Sequence, residues 1–178
     1  MNKYLMIIDA QNDFIGGKLG TKEAIIAVER IGKELYRNRG YYDRIFLTLD
    51  THYNDTYLNT QEGKHLPIAH CIQGIDGWNI HNSVKAFLPV ENPETVTFIR
   101  KNTFGTIHWK NCISNGDCEI TIVGFCTDIC VITNALILKT FYPEATIKVI
   151  ADCCAGTSIE AHEAALKVME SCQIEVIE

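Results

Sequence analysis

The stretch from Glu119 to Lys139 constrains the fold of this 178-residue chain more than any other. Residues 119–123 are rich in β-branched side chains and have the length of a strand, which Gly124 then ends. Thr127 or Asp128 is a good helix N-cap, and the apolar residues that follow recur at roughly helical spacing. A strand, a tight turn and a helix start in direct succession are typical of a parallel sheet, whose ligand site lies at such turns.

Cys130 lies in the first turn of the predicted helix. Backbone N–H groups at a helix start have no partner within the helix, and the helix dipole places a positive potential there. This environment favours a thiolate over a thiol and supplies donors for an oxyanion. Cys130 is therefore a candidate nucleophile, with a buried structural cysteine as the alternative.

Strands and helices alternate along the rest of the chain. The predicted strands are residues 4–8, 44–49, 95–99, 119–123, 146–151 and 174–177, and the predicted helices are residues 21–38, 80–87, 106–113, 127–139 and 158–171. This alternation predicts an α/β fold, with a parallel sheet covered by helices on both faces. The chain has the length of one domain and shows no linker or repeat, so we expect a single domain over residues 1–178.

Composition excludes several classes of partner. The net charge is −6 with no run of Lys or Arg, which argues against nucleic acid or an anionic membrane as the main partner. No segment approaches the ~20 apolar residues of a membrane span, and the first apolar run is too short for a signal peptide. We therefore expect a cytoplasmic protein whose eight cysteines are reduced thiols.

Polar side chains follow the predicted strands at their carboxyl ends. Asp9 follows the first strand, Asp50 and His52 follow the second, and Lys101 follows the third. Because the carboxyl ends of parallel strands meet at one edge, we expect these side chains to surround Cys130. A free thiol is only a few per cent ionised near neutral pH, so it needs a proton acceptor such as Asp9 and a cation such as Lys101. Each residue alone is commonly a loop cap or a solvated charge, whereas the set at one edge favours catalysis.

Three motifs resemble the isochorismatase-like cysteine hydrolase superfamily. They are Asp9-Ala-Gln-Asn-Asp-Phe14 with Gly16-Gly17, Lys101 after the third strand, and Gly124-x-x-Thr-Asp-x-Cys-Val131. The resemblance implies a three-layer, Rossmann-like fold with a six-stranded parallel sheet, and a catalytic triad of Asp9, Lys101 and Cys130. It also implies a non-proline cis peptide between Phe125 and Cys126, which aims the backbone N–H groups of Cys126 and Cys130 at the oxyanion.

A metal site is implied by similarity to the nicotinamidase-like, metal-bearing branch of this family. Asp50-x-His52, with His70 later in the chain, resembles the divalent-metal ligands of that branch. One carboxylate and two imidazoles suit Zn, with Mn or Fe as alternatives. Glu62 resembles in position an acidic ligand of some nicotinamidases, and a solvated loop carboxylate is its alternative. Without the resemblance, the spacing of Asp50, His52 and His70 would be about as consistent with chance as with a metal site.

The activity that the resemblance implies is hydrolysis of a small-molecule amide, with nicotinamide giving nicotinate and ammonia through a thioester. A related amidase, a carbamoyl-amide hydrolase and an isochorismatase-type vinyl-ether hydrolase are the alternatives within the family. Outside it, a catalytically silent binding protein or a thiol-redox protein would also fit. The presence of Cys130 favours amide chemistry, because the vinyl-ether reaction does not need a thiol.

The predicted substrate pocket contains Phe14, Phe125 and Trp78. Phe14 matches one wall of the ring pocket in the resembled branch. Residues 65–71, however, lack the tryptophan that the family places before the second metal-binding histidine. Trp78 and Trp109 are the candidate replacements, with core packing or an oligomer contact as the alternative for either. A homo-oligomer is a further expectation that rests on the resemblance alone.

Overall fold

The computed structural model describes residues 1–89, 92–113 and 117–178. Within these residues, six parallel strands form one sheet in the order β3-β2-β1-β4-β5-β6. The strands are β1 (Asn2–Ile8), β2 (Arg44–Asp50), β3 (Val96–Lys101), β4 (Cys118–Phe125), β5 (Thr146–Ala155) and β6 (Glu175–Ile177). The predicted six-stranded parallel sheet is therefore confirmed.

Helices cover both faces of this sheet. They are α1 (Asn12–Ile15), α2 (Lys22–Arg37), α3 (Gln61–His65), α4 (Asn82–Lys85), α5 (Ile132–Phe141) and α6 (Ile159–Ser171). Short 3₁₀ turns occupy Tyr57–Asn59, Asp76–Trp78, Pro93–Thr95 and Ile107–Asn111. The predicted helix over residues 80–87 is only the four-residue α4, and the one over residues 106–113 is a 3₁₀ turn. Neither segment is long enough for apolar periodicity to define a regular helix.

The core has two layers, one on each face of the sheet, and β1 contributes to both. Tyr4, Met6 and Ile8 pack on the side of α5 and α6, whereas Leu5 and Ile7 pack on the side of α2. This alternation follows from the two-residue period of a strand, and both sets are buried because helices cover both faces. Full burial of each such side chain contributes about 1.5–3 kcal/mol. No helix in the described part of the chain is long and apolar enough to cross a membrane.

The connections of β1 create a crevice. The chain leaves β1 towards β2 and β3 on one side and returns to β4 on the other side. Ligands of such sheets bind where the direction of winding reverses, outside the carboxyl ends of the strands. Here that point lies between the ends of β1 and β4.

Gly124 lies inside β4 rather than ending it, which corrects the predicted strand end. Its φ is +127°, and a Cβ at this position would lie 2.0 Å from Ile8 O. Only glycine accepts this backbone conformation together with so close an approach of β4 to β1. The residues that follow, Phe125 and Cys126, are thereby held next to the end of β1.

β5 also extends beyond its predicted end at residue 151, as far as Ala155. Cys153 and Cys154 therefore lie within the strand. Cys153 packs in the layer with α2, and Cys154 packs in the layer with α5 and α6. Asp152 is exposed and pairs with Arg30 of α2.

Candidate active site

Asp9, Lys101 and Cys130 meet at the crevice between β1 and β4. The Lys101 ammonium lies 2.6 Å from Asp9 Oδ2 and 3.5 Å from Cys130 Sγ. All three side chains are buried, and Asp9 is fully so. The sheet places them together because Asp9 follows β1, Lys101 ends β3 and Cys130 follows β4. A carboxylate, an ammonium and a thiol in contact can move a proton from sulfur to oxygen.

Asp9 has a backbone conformation that residues other than glycine rarely adopt, with φ at +47°. Such a conformation costs about 1–3 kcal/mol and persists only where the surroundings hold it. Thr48 of β2 does so: its Oγ1 donates to Asp9 Oδ1 at 2.6 Å and accepts from the Asp9 N–H at 3.0 Å. The sequence reasoning missed Thr48, although a buried hydroxyl within an apolar strand was a signal for it.

Burial and neighbouring charges shift the pKa values of these three groups. It raises the pKa of the Cys130 thiol well above its usual value, and the charge of Asp9 adds to this effect. Burial also raises the pKa of Asp9, although the Lys101 ammonium opposes the shift. Burial would lower the pKa of Lys101, but Asp9 and Cys130 outweigh it and raise that pKa. Burial thus opposes ionisation of the Cys130 thiol, whereas the Lys101 ammonium and the positive potential expected at a helix start favour it.

The turn that carries Cys130 differs from the predicted helix start. Thr127–Val131 is a single π-helical turn, and α5 begins only after it. Cys126, not Thr127 or Asp128, occupies the N-cap position. The Asp128 carboxylate instead accepts hydrogen bonds from the backbone N–H and hydroxyl of Thr157.

The peptide between Phe125 and Cys126 is cis, as predicted. The carbonyl of Cys126 accepts hydrogen bonds from the N–H groups of Ile129 and Val131, at 3.1 and 3.0 Å. The two ends of the turn are thereby tied to each other. Burial raises the pKa of the Cys126 thiol to about 12, so this second sulfur is neutral.

Four further residues form a cluster beside the triad: Asp50, His52, Glu62 and His70. Their ligand atoms all lie within 4.8 Å of one another. His52 Nε2 lies 2.9 Å from Asp50 Oδ2 and 3.5 Å from Glu62 Oε1, and His70 Nε2 lies 3.4 and 3.5 Å from the same two atoms. Around a metal with bonds of about 2.1 Å, neighbouring ligands lie about 3.0–3.4 Å apart. The donor set and its spacing therefore fit a divalent metal.

The orientation of His70 supports this fit. Its Nδ1 lies 2.9 Å from Ile68 O, and since a carbonyl only accepts, Nδ1 carries the proton. Nε2 then presents a lone pair to the cluster, as a metal-binding histidine requires. Burial would raise the pKa of Asp50, but its contacts with the rings of His52 and His70 and the charge of Lys101 hold it well below its usual range. Asp50 is therefore a carboxylate.

Glu62 joins the cluster through the short helix α3. Thr60 caps this helix by accepting a hydrogen bond from the Gly63 N–H at 2.9 Å. Gly63 packs so closely that a Cβ there would lie 2.1 Å from Tyr57 O. The structure thus brings Glu62 close to the other three groups. The sequence alone left open whether Glu62 is a ligand or a solvated loop carboxylate.

A cavity of about 930 Å³ opens onto Cys130 of the triad and onto the cluster. It is lined by Cys126 and Cys130, the four clustered residues and a set of apolar and aromatic side chains, which are Phe14, Leu19, Tyr53, Tyr57, Leu66, Phe104 and Ile129. Phe14 packs edge-on against His70, with ring centroids 5.6 Å apart. The volume is that of a small-molecule site.

Two of the three predicted pocket residues lie elsewhere. Phe125 is fully buried in the core layer with α2, because the strand period turns its side chain away from the cavity. Trp78 donates its indole N–H to Thr51 Oγ1 at 3.0 Å and packs under Arg100, outside the cavity lining. Of the predicted set, the structure places Phe14 at the cavity.

Gln11 is another residue that the sequence reasoning passed over. Its Oε1 accepts from the Asp50 N–H at 2.7 Å, and its Nε2 donates to the carbonyls of Asp50 and Trp78, each at 2.9 Å. The side chain is fully buried and fixes the end of β2. The only indication of its role in the sequence was its place in the motif Asp9–Phe14.

Comparison with known proteins adds a family and several relatives. Residues 3–178 match the Isochorismatase domain family. A nicotinamidase of Schizosaccharomyces pombe is 24% identical over 204 aligned residues, which cover 97% of this chain and 91% of that protein. A nicotinamidase/pyrazinamidase of Mycobacterium tuberculosis is 25% identical, covering 97% of each chain.

Solved structures share the fold. A nicotinamidase/pyrazinamidase from Bacillus subtilis superposes with a TM-score of 0.83 at 22% identity, covering 100% of both chains. A pyrazinamidase of Pyrococcus horikoshii in complex with zinc superposes with a TM-score of 0.81 at 22% identity, covering 100% of this chain and 99% of that one.

Proposed function

Because this chain belongs to the Isochorismatase domain family, we propose that it is a cysteine hydrolase that cleaves the C–N bond of a small carboxamide, with nicotinamide as the leading substrate. One observation carries the proposal. The ammonium of Lys101 contacts both Asp9 and Cys130, and Cys130 lines a cavity that is also lined by four groups able to ligate a metal. The naming of the S. pombe and M. tuberculosis relatives as nicotinamidases supports the choice of substrate.

The reaction begins with the transfer of the Cys130 proton to Asp9. The new thiolate attacks the amide carbon, and Lys101 stabilises the negative charge shared between sulfur and carboxylate. The backbone N–H groups of Cys126 and Cys130 hold the oxyanion, and each donor lowers the barrier by about 3 kcal/mol. The raised pKa of Asp9 makes it a stronger base than an ordinary carboxylate, which suits it to this transfer.

Collapse of the tetrahedral intermediate breaks the C–N bond. Asp9 returns its proton to the departing nitrogen, which leaves as ammonia, and the acyl group remains on Cys130 as a thioester. A water then attacks the thioester carbon while Asp9 accepts one of its protons. The C–S bond then breaks, the carboxylic acid leaves, and Asp9 returns its proton to the sulfur, which restores the thiol of Cys130.

Asp50, His52, His70 and Glu62 are the residues that would hold a divalent metal, with zinc favoured over manganese or iron. A metal bound there supplies a Lewis acid that orients a ring nitrogen of the substrate and polarises water. Phe14, edge-on to His70, provides an apolar surface for a flat ring beside the ligands.

A second candidate within the same chemistry is hydrolysis of a different, larger carboxamide. The cavity of about 930 Å³ offers more room than a single pyridine ring requires, and Trp78 does not line it. Carbamoyl-amides and other apolar amides would use the same Asp9, Lys101 and Cys130.

The deciding experiment is ammonia release from a panel of amides, containing nicotinamide, pyrazinamide and carbamoyl-amides, with and without a chelator. We expect turnover of at least one amide and its loss with the chelator. Turnover of another amide while nicotinamide stays inert would keep the chemistry and replace the substrate. Cys130→Ala should lose all turnover, and an active Cys130→Ala protein would refute the mechanism.

A further inference from the structure

Asn134 lies in α5, four residues after Cys130, and its side chain is fully buried. Its amide makes four hydrogen bonds. Oδ1 accepts from the indole N–H of Trp109 at 2.8 Å and from the N–H of Thr106 at 3.2 Å. Nδ2 donates to Cys130 O at 2.7 Å and to Phe104 O at 3.0 Å. A carboxamide has two donors and two acceptor lone pairs, so all of them have partners here.

These bonds join the two segments that carry the candidate site. One is the turn with Cys130, and the other is the segment of residues 104–109 that follows Lys101. Phe104 of that segment lines the cavity. At Gly105 the segment packs so closely on α5 that an added Cβ would lie 2.5 Å from Ile137 Cδ1. The amide of Asn134 is thus the polar contact at the centre of this packing.

We infer that Asn134 is a positioning residue, which fixes the backbone of Cys130 against the segment that follows Lys101. It touches no reacting atom and acts through the Cys130 carbonyl. The inference rests on the proposed role of Cys130 as the nucleophile. The thiol lies 3.5 Å from the Lys101 ammonium, and a shift of about 1 Å in such a geometry can reduce reactivity by about 100-fold.

A purely structural role is the competing explanation. A buried amide with four partners stabilises any fold, because its loss leaves buried donors and acceptors unpaired. A structural role predicts a loss of stability alone. A positioning role also predicts that the reactivity of Cys130 follows the one bond to its carbonyl.

Asn134→Thr and Asn134→Val separate these explanations. The two new side chains have nearly the same shape, and both lose the bonds to residues 104, 106 and 109. A threonine hydroxyl within a helix can bond to the carbonyl four residues earlier, as Thr133 does to Ile129 O at 2.6 Å. For Asn134→Thr that carbonyl belongs to Cys130, so the pair differs in one hydrogen bond to the nucleophile.

The measurement is the rate at which iodoacetamide alkylates Cys130 at pH 7, followed by peptide mass spectrometry, together with the thermal unfolding midpoint. We expect Asn134→Val to be alkylated about tenfold more slowly than Asn134→Thr, while their midpoints agree within a few degrees. Equal rates, or a faster Asn134→Val, would overturn the inference and leave Asn134 a structural residue. Alkylation needs no amide substrate, so a parent protein without amide turnover would refute the proposed function alone.

Asn134→Ser and Asn134→Ala cover the case in which these two variants do not fold. A serine hydroxyl can make the same bond to Cys130 O, and neither side chain adds a charge near the thiol. We expect slower alkylation of Cys130 in Asn134→Ala, and equal rates in the two variants would contradict the inference.

Tyr142→Phe is the control for stability alone. It removes the buried Tyr142 hydroxyl, whose one proton is shared between Trp109 O and Ile113 O at 2.8 and 3.1 Å, at and beyond the end of the same segment. It should lower the unfolding midpoint and leave the alkylation rate of Cys130 unchanged. An equal loss of rate in Tyr142→Phe would show that general loosening, not the bond to Cys130, governs reactivity.

Discussion

Replacement of Lys101 by methionine tests the electrostatics of the candidate site directly. The Lys101 ammonium lies 2.6 Å from Asp9 Oδ2, with both groups buried. At an effective dielectric constant of about 20, two unit charges at that separation attract by about 6 kcal/mol. Much of this offsets desolvation, and removal of one partner of a buried pair typically costs about 3–5 kcal/mol. We therefore expect Lys101→Met to lose about 3 kcal/mol of unfolding free energy at pH 7.

The loss should depend on pH, and its sign follows from Asp9. Burial raises the pKa of Asp9 and Lys101 opposes that shift, so Lys101→Met raises the pKa further. A carboxyl whose folded-state pKa exceeds its unfolded value contributes stability at low pH, and this is lost as the pH rises through the folded-state pKa. The unfolding free energy that Lys101→Met loses relative to the parent should therefore be smaller at pH 5 than at pH 7. One proton over two pH units is worth at most about 2.7 kcal/mol.

Urea denaturation at pH 5 and pH 7, in the presence of a chelator, measures this difference. Lys148→Met is the matched control, because Lys148 Nζ lies 2.7 Å from Glu119 Oε2 in a partly exposed pair. It should cost less than about 1 kcal/mol at both pH values. A loss in Lys101→Met that does not change with pH, or that is no larger than the control, would refute the electrostatic reasoning.

Three further predictions concern the nucleophile, the metal and the sheet. Cys130→Ala should abolish ammonia release while its thermal midpoint stays within a few degrees of the parent, since only one sulfur atom is removed; residual turnover would reject the nucleophile. Glu62→Gln should weaken zinc binding at least about tenfold in a competition titration with a chelator, and unchanged affinity would exclude Glu62 from the ligands. Gly124→Ala should lose more than about 3 kcal/mol of unfolding free energy in urea denaturation, because its Cβ would lie 2.0 Å from Ile8 O. Gly40→Ala is the control and should lose about 1 kcal/mol, because Gly40 has a φ of +78° but no neighbour within 4 Å of an added Cβ. Equal losses would refute the steric reason.

The sequence was sufficient for the sheet and for the groups at its edge. Buried parallel strands produce continuous apolar runs, and each run ended close to a polar residue that the fold then gathers at one rim. Asp9 and Lys101 could be placed in this way because a strand end is a local feature. Their mutual distances depend on strand order, which apolar runs do not encode.

Other features of the site depend on contacts between distant segments. Thr48 and Asn134 are polar residues within largely apolar elements, and only the packed structure shows which groups they bond. The π-helical turn at Thr127–Val131 has no periodicity of its own in so short a segment, so the sequence predicted an ordinary helix start. Phe125, a predicted pocket residue, lies in the core instead, because β4 extends as far as Phe125.

Asp50 faces two ways. Its Oδ2 lies 2.9 and 3.4 Å from the Nε2 atoms of His52 and His70, and its Oδ1 lies 3.6 Å from the Lys101 ammonium. One carboxylate therefore contacts both the histidines of the cluster and the lysine of the triad. A substitution that alters the charge of the cluster will also alter the charge that Lys101 experiences, and a redesign of the triad will alter the surroundings of Asp50. The triad and the cluster must therefore be redesigned together, with Asp50 left unchanged because it contacts both.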